Sequence, residues 1–258
     1  MATTTTENGV EIAYDVTGDG PLLVLVHGIT ESRRVWDPLV PPLAQHHTVV
    51  AVDMRGHGES GPGARYDPMA MGDDVAAVVD HVDRGLPVVV GHSMGGIVVT
   101  AYAAAHPCRG VINVDQSIAL GEFQEMVRSA EPLLRSDAFD GLMTDLFAGL
   151  SGPLPPHELD RLAALRRPSP EVVLGVWGPL LELDPAELDG LVATLTATID
   201  VPYLALHGHD PGPDYGRWLD HVIPTAQLEV WEDSGHYPHL VHQERFVERV
   251  RAFERSLA

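Results

Sequence analysis

The sequence has 258 residues, no lysine and a single cysteine, Cys108. One cysteine excludes an internal disulfide, and its position after Pro107, just past a helical pattern, gives no sign of a reactive thiol. Positive charge is scarce: 16 basic residues, all arginine, stand against 37 acidic ones, for a net charge of −21. That balance opposes binding to nucleic acid or to an anionic membrane surface. It fits a solvated acidic exterior and neutral or cationic small ligands. No apolar run approaches the ~18 residues of a membrane-spanning helix. The opening Met1-Ala2-Thr3-Thr4-Thr5-Thr6 has neither the basic nor the apolar segment of a secretory leader, so a cytoplasmic protein is expected. There is no Gly-x-Gly-x-x-Gly after a strand and no phosphate loop, hence no nucleotide cofactor is indicated.

What is present is a rhythm of short apolar runs and helical patterns. Residues 3–16 alternate around Asn8-Gly9, a hairpin signal, with Val10, Ile12, Tyr14 and Val16 expected on one face. Leu22–Val26, Thr48–Val52, Val88–Val90, Gly110–Val114, Tyr203–Leu206 and Ala226–Trp231 read as strands, several of them continuously apolar, as in a parallel sheet covered on both faces. Helices are expected at Trp36–Gln45, with the regular part confined by Pro38, Pro41 and Pro42, and at Asp73–Asp83, Ile97–Ala105, Tyr215–His221 and Gln243–Ser256. From about residue 119 to 198 the alternation stops, and helical patterns broken by prolines take over. Strands alternating with helices imply a mostly parallel sheet whose ligands bind beyond the strands' carboxyl ends. His27, Asp53, Ser93, Asp115, Asp210 and His236 all fall at or just after such ends.

The organising stretch is Val88-Val89-Val90-Gly91-His92-Ser93-Met94-Gly95-Gly96. An apolar run, a Gly-x-Ser-x-Gly pentapeptide and a small-residue helix together read as strand, sharp turn and helix. Glycines at 91 and 95 allow the tight bend and the close approach. The turn lifts the Ser93 hydroxyl above the sheet and aims the first helical amides at whatever it attacks.

This stretch resembles the nucleophile elbow of the α/β-hydrolase superfamily. His27-Gly28-Ile29 is similar to that superfamily's His-Gly-x segment, and Asp53-Met54-Arg55-Gly56-His57-Gly58-Glu59-Ser60 to its Asp-x-Arg-Gly-x-Gly-x-Ser segment, whose role there is mainly structural. The resemblance spans the chain and implies an α/β-hydrolase fold: a mostly parallel eight-stranded sheet flanked by helices, residues 1–118 and 199–258, with a helical cap inserted at 119–198.

A serine hydroxyl needs a base within hydrogen-bond reach and a third group to orient that base. The resemblance supplies them in the order serine, acid, histidine. His236, after the last strand in Asp233-Ser234-Gly235-His236, takes the place of the base, with His239 and His242 as neighbouring alternatives. Asp210, after the penultimate strand, takes the place of the acid, although one residue rather than the usual two separates it from Gly208. Asp115 is the alternative acid, and Asp214 and Asp233 remain open. The oxyanion donors implied are the backbone N–H groups of Ile29 and Met94. The His27 side chain is expected to brace its loop. The His207/His209/Asp210 cluster lacks the ligand set of a metal site, and neither metal nor cofactor is expected.

Within the cap, Leu142, Met143, Leu146, Phe147, Trp177 and Leu180 are candidates to face the substrate. The expected activity is hydrolysis of a small apolar carboxylic ester or lactone through an acyl-enzyme. Carbon–carbon or amide bond hydrolysis by the same triad is an alternative, as is a ligand receptor of slow turnover. Ser93 argues against the relatives that carry aspartate at the elbow.

Overall fold

The structure, a computed structural model, describes residues 1–257. Strands β1 (Ala2–Thr5) and β2 (Glu11–Thr17) form an antiparallel hairpin that turns at Gly9, where φ is +84°. β3 (Leu22–Val26) leads through a turn of 3₁₀ helix (Arg33–Trp36) and α1 (Val40–Leu43) to β4 (Thr48–Val52). Then come α2 (Pro68–Val82), β5 (Val88–His92), α3 (Met94–Ala105) and β6 (Gly110–Val114). Six helices follow before the next strand: α4 (Gly121–Leu134), α5 (Phe139–Leu150), α6 (Pro156–Leu165), α7 (Pro170–Val176), α8 (Gly178–Glu182) and α9 (Pro185–Thr196). The chain closes with β7 (Tyr203–His207), α10 (Tyr215–Val222), β8 (Ala226–Val230), α11 (Pro238–Val241) and α12 (Gln243–Arg255).

The strands make one eight-stranded sheet in the order β1-β2-β4-β3-β5-β6-β7-β8. β1 and β2 pair antiparallel, β2 joins β4 antiparallel, and every pairing from β4 to β8 is parallel. Alternation along each strand divides the interior into two cores. Val24, Val26, Val89 and Val111 pack with residues of α2, α3, α10 and the inserted helices. Leu23, Leu25, Val88, Val90 and Ile112 pack on the opposite face with Trp36, Leu39 and the α12 stripe Phe246, Val250 and Phe253. Burial on both faces explains the apolar runs of β3 to β7; in β6 the run is broken by Asn113, whose amide donates to the Gln116 carbonyl and the Tyr203 hydroxyl.

Three local expectations change. Val16 is 46% exposed, because β2 has passed beyond the helices that cover Ile12 and Tyr14. Trp36–Gln45 is not one helix. Pro38 has no N–H to continue the ladder, so the chain splits into the 3₁₀ turn and the four-residue α1, which starts at Val40 ahead of Pro41 and Pro42. α2 begins at Pro68, earlier than expected, because Asp67 caps it by accepting the Ala70 N–H at 3.2 Å. Among the described residues no helix is long and apolar enough to cross a membrane.

Candidate active site

β5 and α3 meet at Ser93, whose backbone has φ +53° and ψ −125°. The two flanking glycines make this bend sterically possible. A Cβ at Gly91 would lie 1.9 Å from the Gly95 carbonyl oxygen, and one at Gly95 would lie 2.4 Å from that of Val26. The Ser93 N–H donates to the Val114 carbonyl at 3.0 Å, so β6 holds the turn from the side. Among the described residues, five non-glycine residues have φ in the left-handed range, and four of them (Thr30, Ser93, Asp115 and Asp233) sit in loops at the carboxyl end of the sheet. Such conformations cost about 1–3 kcal/mol each and persist where the surroundings over-determine them. Their clustering makes this end the candidate functional one.

His236 is 12% exposed, and its Nδ1 lies 2.6 Å from Asp115 Oδ2. Burial draws the imidazole below its ordinary pKa, against the opposing pull of the Asp115 carboxylate. Burial alone would raise Asp115. The hydrogen bond and charge of His236, with the Gly208 N–H at 2.7 Å from Oδ1, hold it instead below the usual carboxylate range. Asp115 is therefore an ionised acceptor in contact with the δ nitrogen, the arrangement that leaves Nε2 as the basic nitrogen.

Asp210 is not the partner of His236. It is exposed, and its Oδ1 accepts the Gly212 N–H at 2.9 Å in a local turn. The physical reason is that β7 ends by giving its Gly208 N–H to Asp115, and the short Gly208–Asp210 spacing sends the loop outward. Asp214 pairs with Arg217, and Asp233 is exposed. His239 is wholly buried, its ring tilted against that of His92 at a centroid distance of 4.5 Å, and His242 lies against Trp231.

The loop after β3 comes close to Ser93: a Cβ on Gly28 would stand 3.2 Å from Ser93 Cβ. Ile29 and Met94 line the same cavity as Ser93 and His236. His27 accepts the Met54 N–H at Nε2 (3.0 Å), and its Nδ1 reaches the Gly28 carbonyl at 2.7 Å. It joins this loop to the one after β4. In that second loop, Asp53 accepts the Arg33 and Glu59 N–H groups, Ser60 donates to the Asp53 carbonyl, and Arg55 clasps Asp74. Asp53, Met54, Arg55 and His57 of this segment are buried and brace the fold, while Glu59 stays exposed.

The cavity measures about 990 Å³ and lies between the sheet's carboxyl end and the inserted helices. Leu146, Phe147, Trp177 and Leu180 line it, together with Ile97, Phe123, Leu188, Val192, Leu195, Tyr215 and Trp218. Leu142 and Met143 do not. They share the helical face of Leu146 and Leu150 but lie one to two turns earlier on α5, where Met143 is 1% exposed within the apolar core and Leu142 packs against that core.

The sequence matches the alpha/beta hydrolase family over residues 23–249. The chain belongs to that family. A 2-(acetamidomethylene)succinate hydrolase of Mesorhizobium japonicum is 33% identical over 135 residues, a match covering 51% of this chain and 44% of that protein. A bifunctional esterase/perhydrolase of Acinetobacter calcoaceticus is 33% identical over 242 residues, covering 87% of this chain and 84% of its own. A solved structure described as an N-acyl homoserine lactone degrading enzyme superposes with a TM-score of 0.81 at 27% identity, covering 97% of this chain and 100% of its own.

In this alpha/beta hydrolase, the lining residues that sequence reasoning passed over come largely from α9 and α10. Leu188, Leu191, Val192 and Leu195 recur at helical spacing and form one apolar face of α9. That spacing was a usable signal. Tyr215 and Trp218 on α10 carried none, since only the fold turns that helix toward the cavity.

Proposed function

We propose that the chain is a serine hydrolase that cleaves carboxylic esters or lactones of small, apolar molecules through an acyl-enzyme. The observation that carries this reading is the 2.6 Å contact between His236 Nδ1 and buried Asp115, at the cavity that Ser93 also lines from its strained turn. Asp115 fixes the imidazole and offsets the imidazolium. His236 Nε2 takes the Ser93 Oγ proton as Oγ attacks the carbonyl carbon. The N–H groups of Ile29 and Met94 donate to the oxyanion, each such donor contributing about 10²–10³ in rate. The intermediate collapses, the leaving oxygen takes the proton from His236, and the acyl group stays on Ser93. Water, deprotonated by His236, then releases the carboxylic acid and restores the serine.

Residues 119–198 serve in this reading as a cap over a core formed by 1–118 and 199–258. The apolar lining from α4, α5, α8 and α9 selects acyl, alkyl or aromatic groups. The named esterase/perhydrolase and the lactone-degrading structure support this chemistry by analogy. Chromogenic esters of rising acyl length and a set of lactones, assayed with wild type and Ser93→Ala, test it. Turnover should fall by about 10³-fold or more in the variant. Turnover that survives the substitution would refute the reading.

A further inference from the structure

One buried carboxylate touches the loops of all the reacting groups, and no step above uses it. Glu31, 3% exposed, follows the oxyanion segment on the same turn. Its Oε2 accepts the Gly28 N–H at 3.1 Å while its own N–H donates to the Gly28 carbonyl at 3.2 Å, a reciprocal closure of residues 28–31 around Ile29. Its Oε1 accepts the hydroxyl of Tyr237 at 2.8 Å, the residue after His236. Its Oε2 also lies 3.5 Å from Nδ1 of His92, the residue before Ser93. His92 in turn donates from Nε2 to the His236 carbonyl at 2.8 Å. Arg166, just beyond α6, completes the chain by donating to the Tyr237 hydroxyl at 2.9 Å. Burial alone would push Glu31 up, yet His92 and the Tyr237 hydroxyl bring its pKa down to about 2, so the carboxylate is ionised at neutral pH.

We propose that Glu31 is the positioning residue of this site: through Gly28, His92 and Tyr237 it sets the Ile29 amide, the elbow and the His236 loop in one mutual geometry. Glycine at 28 fits this role, since a Cβ there would stand 2.9 Å from Glu31 Oε2 and 3.3 Å from His92 Nδ1. A rigid hub of this kind acts on the transition state, where sub-ångström placement of the oxyanion donor counts, and hardly on the substrate held in the apolar cavity.

The inference rests on the serine hydrolase reading, and the experiment separates the two. Steady-state hydrolysis of 4-nitrophenyl butyrate and the rate of Ser93 labelling by a fluorophosphonate are measured for wild type, Ser93→Ala, Glu31→Ala, Glu31→Asp, Glu31→Gln and Tyr237→Phe. Glu31→Ala should lower kcat by roughly 10- to 100-fold with KM within about threefold, since misplacement by an ångström costs on that order. Glu31→Gln keeps an acceptor within reach of Gly28 and should recover most of the loss. Glu31→Asp keeps the charge but falls short, and should not. Should Glu31→Ala fail to fold, Tyr237→Phe, which removes one of the carboxylate's partners and keeps the ring, should still lower kcat and leave KM unchanged. A folded Glu31→Ala with kcat within twofold of wild type, or kcat and KM effects of equal size, overturns the positioning role alone. Wild type that shows neither Ser93-dependent turnover nor labelling overturns the hydrolase reading, and this inference with it.

Discussion

At the scale of single residues, the contest between Asp115 and Asp210 is decided by surroundings rather than by chemistry, since the two carboxylates are alike. Asp115 is buried, held by the Gly208 N–H and in contact with His236, whereas Asp210 is exposed and spends its oxygen on a local turn. Replacing Asp115 by Asn keeps the shape but lets the imidazole settle in the wrong tautomer. A fall in kcat of about 10³–10⁴ is expected. Asp210→Asn should stay within about threefold, as surface substitutions do. Initial rates on one ester, with both variants shown to be folded, check the pair; equal losses would contradict the assignment. The same contact fixes a pH signature. The base must be neutral, and burial places His236 below its ordinary value, so kcat/KM should already be level at pH 7 and fall only at lower pH. In Asp115→Asn the carboxylate that favours imidazolium is gone, and the acid limb of the residual activity should move lower still.

At the scale of elements, Gly208, the residue that follows β7, acts as a clamp for the loop that carries His236. Gly208 packs so closely on Gly235 that a Cβ would lie 1.8 Å from its carbonyl oxygen. Gly208→Ala should destabilise the fold by about 2–4 kcal/mol in urea denaturation and depress activity, because backbone there cannot yield without moving His236. Gly190 in α9 is the control. It has open space around its Cα and no positive φ, and Gly190→Ala should stabilise by roughly 0.5–1 kcal/mol. The contrast also explains what the sequence could disclose. Strands from β3 to β7 were legible because burial on both faces writes itself as an apolar run. Ser93 was legible because a strand, a glycine-flanked turn and a helix are local. Which of the two carboxylates, Asp210 or Asp115, meets His236 was left open, because Asp115 reaches it only through the register that sets β6 beside β7. In the α1 region the prolines signalled a confined helix, and Pro38 goes further and splits it into a 3₁₀ turn and a four-residue α1. The lining from the inserted helices was half legible: helical spacing locates an apolar face, but not which way that face turns.

At the scale of the whole molecule, charge and cavity point to the same kind of ligand. The chain carries a net −21, and the cavity is lined by the carboxylates of Asp115, Glu122, Asp210 and Asp214, with no arginine among its described lining residues. A substrate ending in a carboxylate would bring a like charge to this wall. At an effective dielectric constant near 20, two such charges about 7 Å apart repel by about 2 kcal/mol. A matched pair of 4-nitrophenyl esters of equal acyl length, one ending in methyl and one in carboxylate, isolates this term. The carboxylate ester should show a kcat/KM roughly tenfold or more below that of the neutral one at low salt. The gap should narrow as ionic strength rises and the screening length falls below ~10 Å, because the part of the repulsion that crosses solvent is screened. An ester ending in ammonium should depart in the opposite direction, with the opposite salt dependence. Equal values for all three at low salt would mean that the wall carboxylates are silent toward bound substrate, and the preference would then rest on apolar fit alone.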